Sequence, residues 1–390
     1  MKSLFHQILL TRSQYLIHEM KKAIVIGSGF SGCMFAMMLK EKNWQVTVVE
    51  KSKITGGGVR TFWHGGHPFT FGPRHFIGPE TSRPAFDFLN KIIPMRHLKK
   101  INYSYQATDD LFVHYPMHYD DIKKLNDSQK IFDELNKLPE ESKANNFEEF
   151  WTNRVGKTLY ERFNKYYNLK AWNLKSNREM DAGFEGTVKR KPLETGPKHE
   201  FHTGFINAYP KLKDGYNKFF DVSLKGCDVL LGRAIEKVDL EKISVLLDGN
   251  EKMNADLIIS TTSPDFLFDY CYGELAYVGR DFYKIVLPIK EVLPKDVYFL
   301  YYPNPGEQQT RVTEFKKFTN HESHNSLITV EVPSMKNKLY PTMIKKEVDK
   351  AQKYIDSLPE KIKSVGRMGT YRYVDIDDII LQGLEFKKNL

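Results

Sequence analysis

The chain is poor in cysteine. Its 390 residues include three, Cys33, Cys227 and Cys271, far apart and without CxxC spacing. That excludes a disulfide scaffold or a zinc ribbon, and it fits a reducing compartment, so a cytoplasmic location is expected. No apolar run approaches the roughly 18 residues of a membrane span, so no span is expected. There is no basic helix, no RNP-like aromatic motif and no zinc finger. Lys and Arg outnumber Asp and Glu by 58 to 49, a formal charge of +9. The basic clusters are scattered, as at Lys99-Lys100, Lys316-Lys317 and Lys387-Lys388. This reads as a solvated lysine-rich surface with a few arginines set aside for a small anionic ligand, and no nucleic-acid partner is expected. No catalytic triad and no metal-ligand cluster is visible, and no metal is expected.

What is present is a well-supplied core, 41% hydrophobic and 13% aromatic. The length suggests two or three domains. Residues 1–19 read as a mixed polar extension of little consequence. Ala23 to Ile26 is then a continuous apolar run, the pattern of a parallel strand covered on both faces. Gly27-Ser28-Gly29-Phe30-Ser31-Gly32 follows at once, leading into apolar residues at helical spacing, Cys33, Met34, Met37 and Met38. A second strand, Trp44 to Val49, ends in Glu50, followed by Lys51. Strand, GxGxxG, helix, strand, acid is the dinucleotide-binding order. Gly27 permits the tight turn, Gly29 a close backbone approach to a pyrophosphate, and Gly32 close packing of helix on strand. Free N–H groups at the helix start, Phe30 and Ser31 among them, face the phosphates. Glu50 is placed to accept from a ribose hydroxyl.

A second glycine cluster, Thr55-Gly56-Gly57-Gly58-Val59-Arg60-Thr61, lies just beyond. It resembles the segment after the ribose acid in FAD-dependent amine oxidases and their relatives, which favours FAD. Asp228 to Leu231, Ile243 to Leu247 and Leu257 to Ile259 read as later strands completing a discontinuous cofactor domain, with a hairpin turn at Asp248-Gly249-Asn250.

Three further segments narrow the family: Phe71-Gly72-Pro73-Arg74-His75-Phe76, the run from Tyr160 to Trp172, and the run from Gly366 to Asp377. With the glycine motif they resemble UDP-galactopyranose mutase, over roughly residues 20–385. The resemblance implies an α/β fold in which a discontinuous Rossmann-like FAD-binding domain (20–85, 206–262 and 333–390) carries a small helical domain (117–185) and an antiparallel β-sheet domain (86–116, 186–205 and 263–332). It implies a flavin-dependent isomerase that interconverts pyranose and furanose forms of a nucleotide sugar, UDP-galactose or a related one, for surface glycan biosynthesis. In that family N5 of reduced FAD attacks the anomeric carbon. The flavin is the nucleophile, so few acid–base residues are needed. Oligomeric state stays open, a homodimer being one of the family's forms.

Carried over residue by residue, the resemblance assigns Arg311 and Tyr373 to the diphosphate and Tyr167, Asn168 and Trp172 to the nucleoside and sugar. His75 and Arg74 join Arg311 and Tyr373 as the catalytic set, and Phe205 falls at a substrate-side position. The flavin set is Gly27, Gly29, Phe30, Ser31, Gly32, Glu50, Lys51, Gly57, Gly58, Arg367, Tyr373, Asp375 and Ile376. Arg367's permanent charge suits an electron-rich reduced flavin. There are departures. The second diphosphate arginine falls near Glu194, with Arg74, Arg190 and Lys198 as possible replacements. One phosphate-binding tyrosine falls at Phe205 and another at Val332. These changes lie on the substrate side and keep two alternatives open: an FAD oxidoreductase of the amine-oxidase type, and a diverged flavin-binding protein with an altered substrate.

Overall fold

The computed structural model describes residues 20–139, 143–182, 193–194 and 205–390. The 1–19 extension, Arg190 and Lys198 lie outside them.

The β1 strand (Lys22–Ile26) leads through the glycine turn into the α1 helix (Phe30–Lys40), and the β2 strand (Gln45–Glu50) returns beside β1. Three later strands complete a parallel sheet in the order Asp228–Leu231, β2, β1, Leu257–Ser260, Ile362–Ser364. Side chains alternate across a strand. Ala23 and Val25 therefore enter one core with α1, while Ile24 and Ile26 enter another under a three-stranded antiparallel sheet. Both faces are covered, as the unbroken apolar run requires. Of the three late strands expected here, the first and last join this sheet. Ser244–Leu247 instead pairs with its hairpin partner Glu251–Asn254 in the covering sheet.

A mixed seven-stranded sheet carries the other wall of the site. Its order is Tyr340–Pro341, Tyr277–Leu287, Ser326–Ser334, Arg311–Glu314, Val297–Tyr301, Ile101–Gln106, Leu111–His114. It is antiparallel except where Val297–Tyr301 runs parallel to Ile101–Gln106. Phe147–Tyr160 and Tyr166–Trp172 form the main helical pair, around a core of Trp151, Val155, Leu159 and Phe163. Asn146 caps the first of them, its Oδ1 accepting from the Glu149 N–H at 3.0 Å. A single wide turn, Glu161–Lys165, joins the two; such π-type insertions in helices are frequent at functional sites. The last helix, Ile376–Lys388, starts with a reciprocal capping box between Asp375 and Asp378 and packs on α1, with Phe386 against Phe35 at 5.0 Å. Among the described residues no helix is long and apolar enough to cross a membrane.

Candidate active site

The glycine turn takes the geometry its residues predict. The Gly27 N–H donates to Val49 O at 2.8 Å, closing the turn against β2. Glu50 Oε2 accepts from Ser28 N–H (2.8 Å) and Ser28 Oγ (2.9 Å), and Oε1 accepts from Ser52 N–H (2.8 Å). Glu50 is thus fixed beside the turn. The second glycine cluster bridges to the first, Gly56 N–H donating to Ser28 O at 2.8 Å. Phe30's ring stacks on Phe219 at 4.4 Å, inside the core. Lys51 is exposed.

The C-terminal segment reaches this turn because Gly366 has no side chain. A Cβ there would lie 2.2 Å from Ser31 Oγ, and its φ is +72°. The close approach sets Arg367 at the cavity wall. Its Nη2 and Nε donate to Val374 O at 2.8 and 3.2 Å, and its guanidinium lies over the rings of Tyr340 (4.8 Å) and Tyr373 (4.9 Å). Burial opposes this charge, but Tyr340, Tyr373 and Asp375 hold the group protonated. Asp375, Asp377 and Asp378 cluster at the helix start. Two of them form the cap, and Asp377 Oδ2 accepts from Ser82 Oγ at 2.7 Å.

A cavity of about 320 Å³ runs from Gly29, Ser31 and Gly58, past Arg367, Asp375 and Ile376, to Arg74, His75, Phe205 and Arg311. A smaller one, about 100 Å³, continues from it. Arg311, Tyr340, Tyr373, Tyr115 and Tyr301 line both. The order along the path is therefore glycine turn, cationic waist, aromatic end.

The waist holds four guanidinium groups around one phenol. Besides Arg367, Arg74 Nη1 lies 3.5 Å from Tyr340 Oη, and the Arg280 guanidinium is 5.1 Å from the ring centroid. Burial alone would raise the Tyr340 phenol, but Arg74, Arg367 and Arg280 hold it below its usual range. Arg311 donates to Glu331 Oε2 through Nη2 (2.6 Å) and Nε (3.1 Å). These two residues are directly opposed on neighbouring strands, which explains the pairing. Burial acts against both charges, yet each holds the other ionised.

At the far end, Tyr167, Asn168 and Trp172 line the smaller cavity with Phe147, Trp151 and Asn164. Trp172 meets Tyr340 and Tyr373 edge-on at 5.8 and 5.9 Å. Burial pushes the Tyr167 phenol well up. Asn168 Nδ2 is engaged within the protein by Asn177 Oδ1 (2.9 Å) and Met180 Sδ (3.1 Å), so the residue also ties this helix to the next turn. Asn164 Nδ2 and Trp151 Nε1 are buried with no hydrogen-bond partner among the described residues. Unsatisfied buried donors are rare, and both of these residues line the smaller cavity.

The structure gathers most of the residues singled out in the sequence around this path. Gly27, Gly32, Glu50, Lys51 and Gly57 are outside the cavity lining, the first three shaping the turn from behind. The tyrosine expected at Val332 is a correction. Val332 follows Glu331 on one strand, so the two point to opposite faces, and Val332 does not line the cavity. Tyr340, eight positions on, supplies a phenol there, stacked on Tyr373 at 5.9 Å. Arg280, Glu331 and Tyr340 were not singled out from sequence. Arg280 reads as one more alternating strand residue, and Tyr340 stands in a two-residue strand with no periodicity to mark it.

A family model described as UDP-galactopyranose mutase matches residues 162–373, more than half of the chain, and a NAD(P)-binding Rossmann-like domain model matches residues 25–92. A probable UDP-galactopyranose mutase of Klebsiella pneumoniae is 26% identical, over 94% of this chain and 93% of its own. A dTDP-fucopyranose mutase of Escherichia coli is likewise 26% identical, over 94% and 97%. Among solved structures, reduced UDP-galactopyranose mutase superposes with a TM-score of 0.79 at 18% identity, over 95% of both chains, a likeness of fold.

Proposed function

The chain belongs to the UDP-galactopyranose mutase family, and on that premise we propose that it is a FAD-dependent isomerase interconverting the pyranose and furanose forms of a pyrimidine-nucleotide sugar. The observation that carries this reading is the order of the cavity. A dinucleotide turn, a waist of guanidinium groups and an aromatic end follow one another along one path. A flavin, a sugar diphosphate and a nucleoside need those three environments in that order.

The residues present fit FAD. A Cβ on Gly29 would meet no atom within 4 Å, so the helix start faces open space into which a pyrophosphate can come close. Glu50, held at the end of β2, presents its carboxylate to a ribose. Gly57 and Gly58 offer backbone to the cofactor, and Arg367, with the helix start at Asp375 and Ile376, faces its ring. Bound and reduced, FAD supplies the nucleophile toward the anomeric carbon, so the protein's task is positioning rather than proton transfer. Arg311 and the Tyr340 and Tyr373 hydroxyls hold the diphosphate as it leaves and returns. Arg74 adds charge at the sugar side, where His75 packs against Phe318 at 5.7 Å. Tyr167 offers an aromatic face to the base, and Trp172 closes the sugar end. The waist keeps the departed diphosphate within reach of the anomeric carbon. The product, an activated furanose, is a donor for glycosyl transfer, which suits surface glycan assembly in the cytoplasm.

The test is direct. Dithionite-reduced protein is incubated with UDP-galactofuranose and with dTDP-fucofuranose, and the pyranose is sought by chromatography. Conversion of either supports the reading. No turnover across a panel of nucleotide sugars, with flavin bound and reduced, refutes it.

A further inference from the structure

The sequence leaves the second diphosphate arginine unplaced. We propose that Arg280, on the strand next to one edge of the seven-stranded sheet, completes the diphosphate clamp with Arg311. The inference rests on the mutase reading for its natural ligand, and on the sheet geometry for the residue.

Arg280 stands on the Tyr277–Leu287 strand, which pairs with Ser326–Ser334, which pairs in turn with Arg311–Glu314. Arg311 is directly opposite Glu331, and Phe282 is opposite Glu331 on the other side. Arg280, two residues before Phe282, shares that face and lies diagonal to Glu331. Three neighbouring strands thus present two guanidinium groups on either side of one carboxylate, at the rim of the smaller cavity.

Arg280 is 7% exposed. Arginine is rarely buried so deeply unless its charge is matched, and here the match is incomplete. Its Nη1 donates to Gly279 O at 2.7 Å. Its Nε lies 3.4 Å from Glu331 Oε1, an ion contact that does not meet hydrogen-bond geometry and leaves Nε without a bonded partner. Glu331 is already taken by two donors from Arg311. Arg74 Nε is also buried with no hydrogen-bond partner among the described residues. A guanidinium carries five donors in a fixed fork, and this group of arginines uses only part of its supply on the protein. The guanidinium groups of Arg74, Arg280 and Arg367 lie 5.7, 5.1 and 4.8 Å from the centroid of the Tyr340 ring, so the remaining donors are gathered around that phenol. A doubly charged group with several acceptor oxygens, the diphosphate, satisfies that set.

The backbone fixes the arrangement in advance. Arg280 N–H donates to Asn337 Oδ1 and Arg280 O accepts from Asn337 Nδ2, both at 3.1 Å. The Asn337 turn runs directly into Tyr340, so one pair of bonds positions the arginine and the phenol together. A clamp on a sheet strand is preorganised, with little ordering cost on binding.

The experiment titrates the flavoprotein with inorganic pyrophosphate and with UDP, reading flavin fluorescence, in wild type, Arg280→Gln, Arg280→Lys and the double variant Arg190→Gln/Lys198→Gln. Flavin content and thermal midpoint are read alongside. Arg280→Gln is expected to weaken both ligands by about 30-fold or more. Arg280→Lys keeps the charge but loses the fork, and falls between. If Arg280→Gln loses its flavin, Arg280→Lys decides: wild-type affinity in that variant overturns the assignment. Wild-type affinity in Arg280→Gln overturns it, as does the loss appearing in the Arg190/Lys198 double variant instead. Pyrophosphate and UDP binding that depends on Arg280, with no nucleotide sugar turned over, leaves the clamp standing and removes the mutase reading. Failure of the wild type to bind either ligand removes both.

Discussion

Two alanine substitutions, three residues apart, should separate folding from cofactor binding. A Cβ on Gly32 would lie 1.9 Å from the carbonyl oxygen of Gly27 and 2.9 Å from its carbon. Ordinary contact begins at 3.4 Å, so that oxygen would have to retreat by 3.4 − 1.9 = 1.5 Å. The obstacle is backbone in the turn itself and cannot rotate away. Gly32→Ala therefore costs about 3 kcal/mol, the upper end of overpacking. For a folding unit of 150–250 residues that lowers Tm by roughly 6–12 °C. Gly29 is the opposite case. Its φ of −65° and ψ of −179° suit any residue, and a Cβ there meets no atom within 4 Å. Gly29→Ala should keep the wild-type Tm yet fill the space where the cofactor's pyrophosphate approaches. The assay is thermal unfolding of the FAD-free proteins, then visible flavin absorbance per mole of chain after reconstitution. Gly32→Ala should lose both stability and flavin, Gly29→Ala flavin alone. A Gly29→Ala protein that binds FAD like the wild type would refute the turn as the pyrophosphate site, and a Gly32→Ala protein with unchanged Tm would refute the close packing at Gly32.

Asn164→Leu should move two properties in opposite directions. Removing an unsatisfied buried donor raises stability by about 1–2 kcal/mol, while UDP affinity falls about tenfold and pyrophosphate affinity holds; calorimetry and titration read both. Arg367→Gln removes positive charge beside the flavin, so its midpoint potential should fall by about 30 mV, equivalent to about 1.4 kcal/mol for a two-electron couple; an unchanged potential in a fully loaded variant counts against the placement. Tyr340 ionises more easily in the fold than in the unfolded chain. Its contribution to stability is therefore fully present above the unfolded value near 10 and is lost as pH falls through the folded value. Across the same window the phenolate repels the diphosphate, so UDP binding should weaken as pH rises in the wild type and not in Tyr340→Phe.

The parts of the molecule legible in the sequence are those made by short-range rules. The glycine turn, its flanking strands and Glu50 are consecutive, and each residue type answers a local demand of backbone or charge. Arg367 and Asp375 came from the resemblance of the Gly366 to Asp377 run, and the turn and cap that present them are local too. The waist was not, because it is assembled across strands. Arg280 and Glu331 are 51 positions apart in the chain and adjacent only through sheet register. The misplaced tyrosine has the same cause. Matching this segment to the family leads to Val332, whereas the chain turns back at Asn337 and offers Tyr340 from an edge strand. Asn168 was named for its place in the run from Tyr160 to Trp172, but its amide is claimed by Asn177, a tertiary contact that spacing cannot foretell.

The interleaving of the chain also sets a timetable for synthesis. The strand at Lys22–Ile26 is central in the parallel sheet, but its neighbour Leu257–Ser260 emerges more than two hundred residues later. The segment bearing Arg367 and the helix that packs on Phe35 come last of all. At about 5–20 residues per second, the nascent chain carries an open apolar strand edge for tens of seconds. During that time the glycine turn lacks the wall that the Gly366 to Asp377 segment supplies, so a bound cofactor would have no finished cradle until that segment is made. Cofactor loading would then wait on the segment bearing Arg367, so flavin supply and chaperone occupancy would both bear on the yield of folded protein.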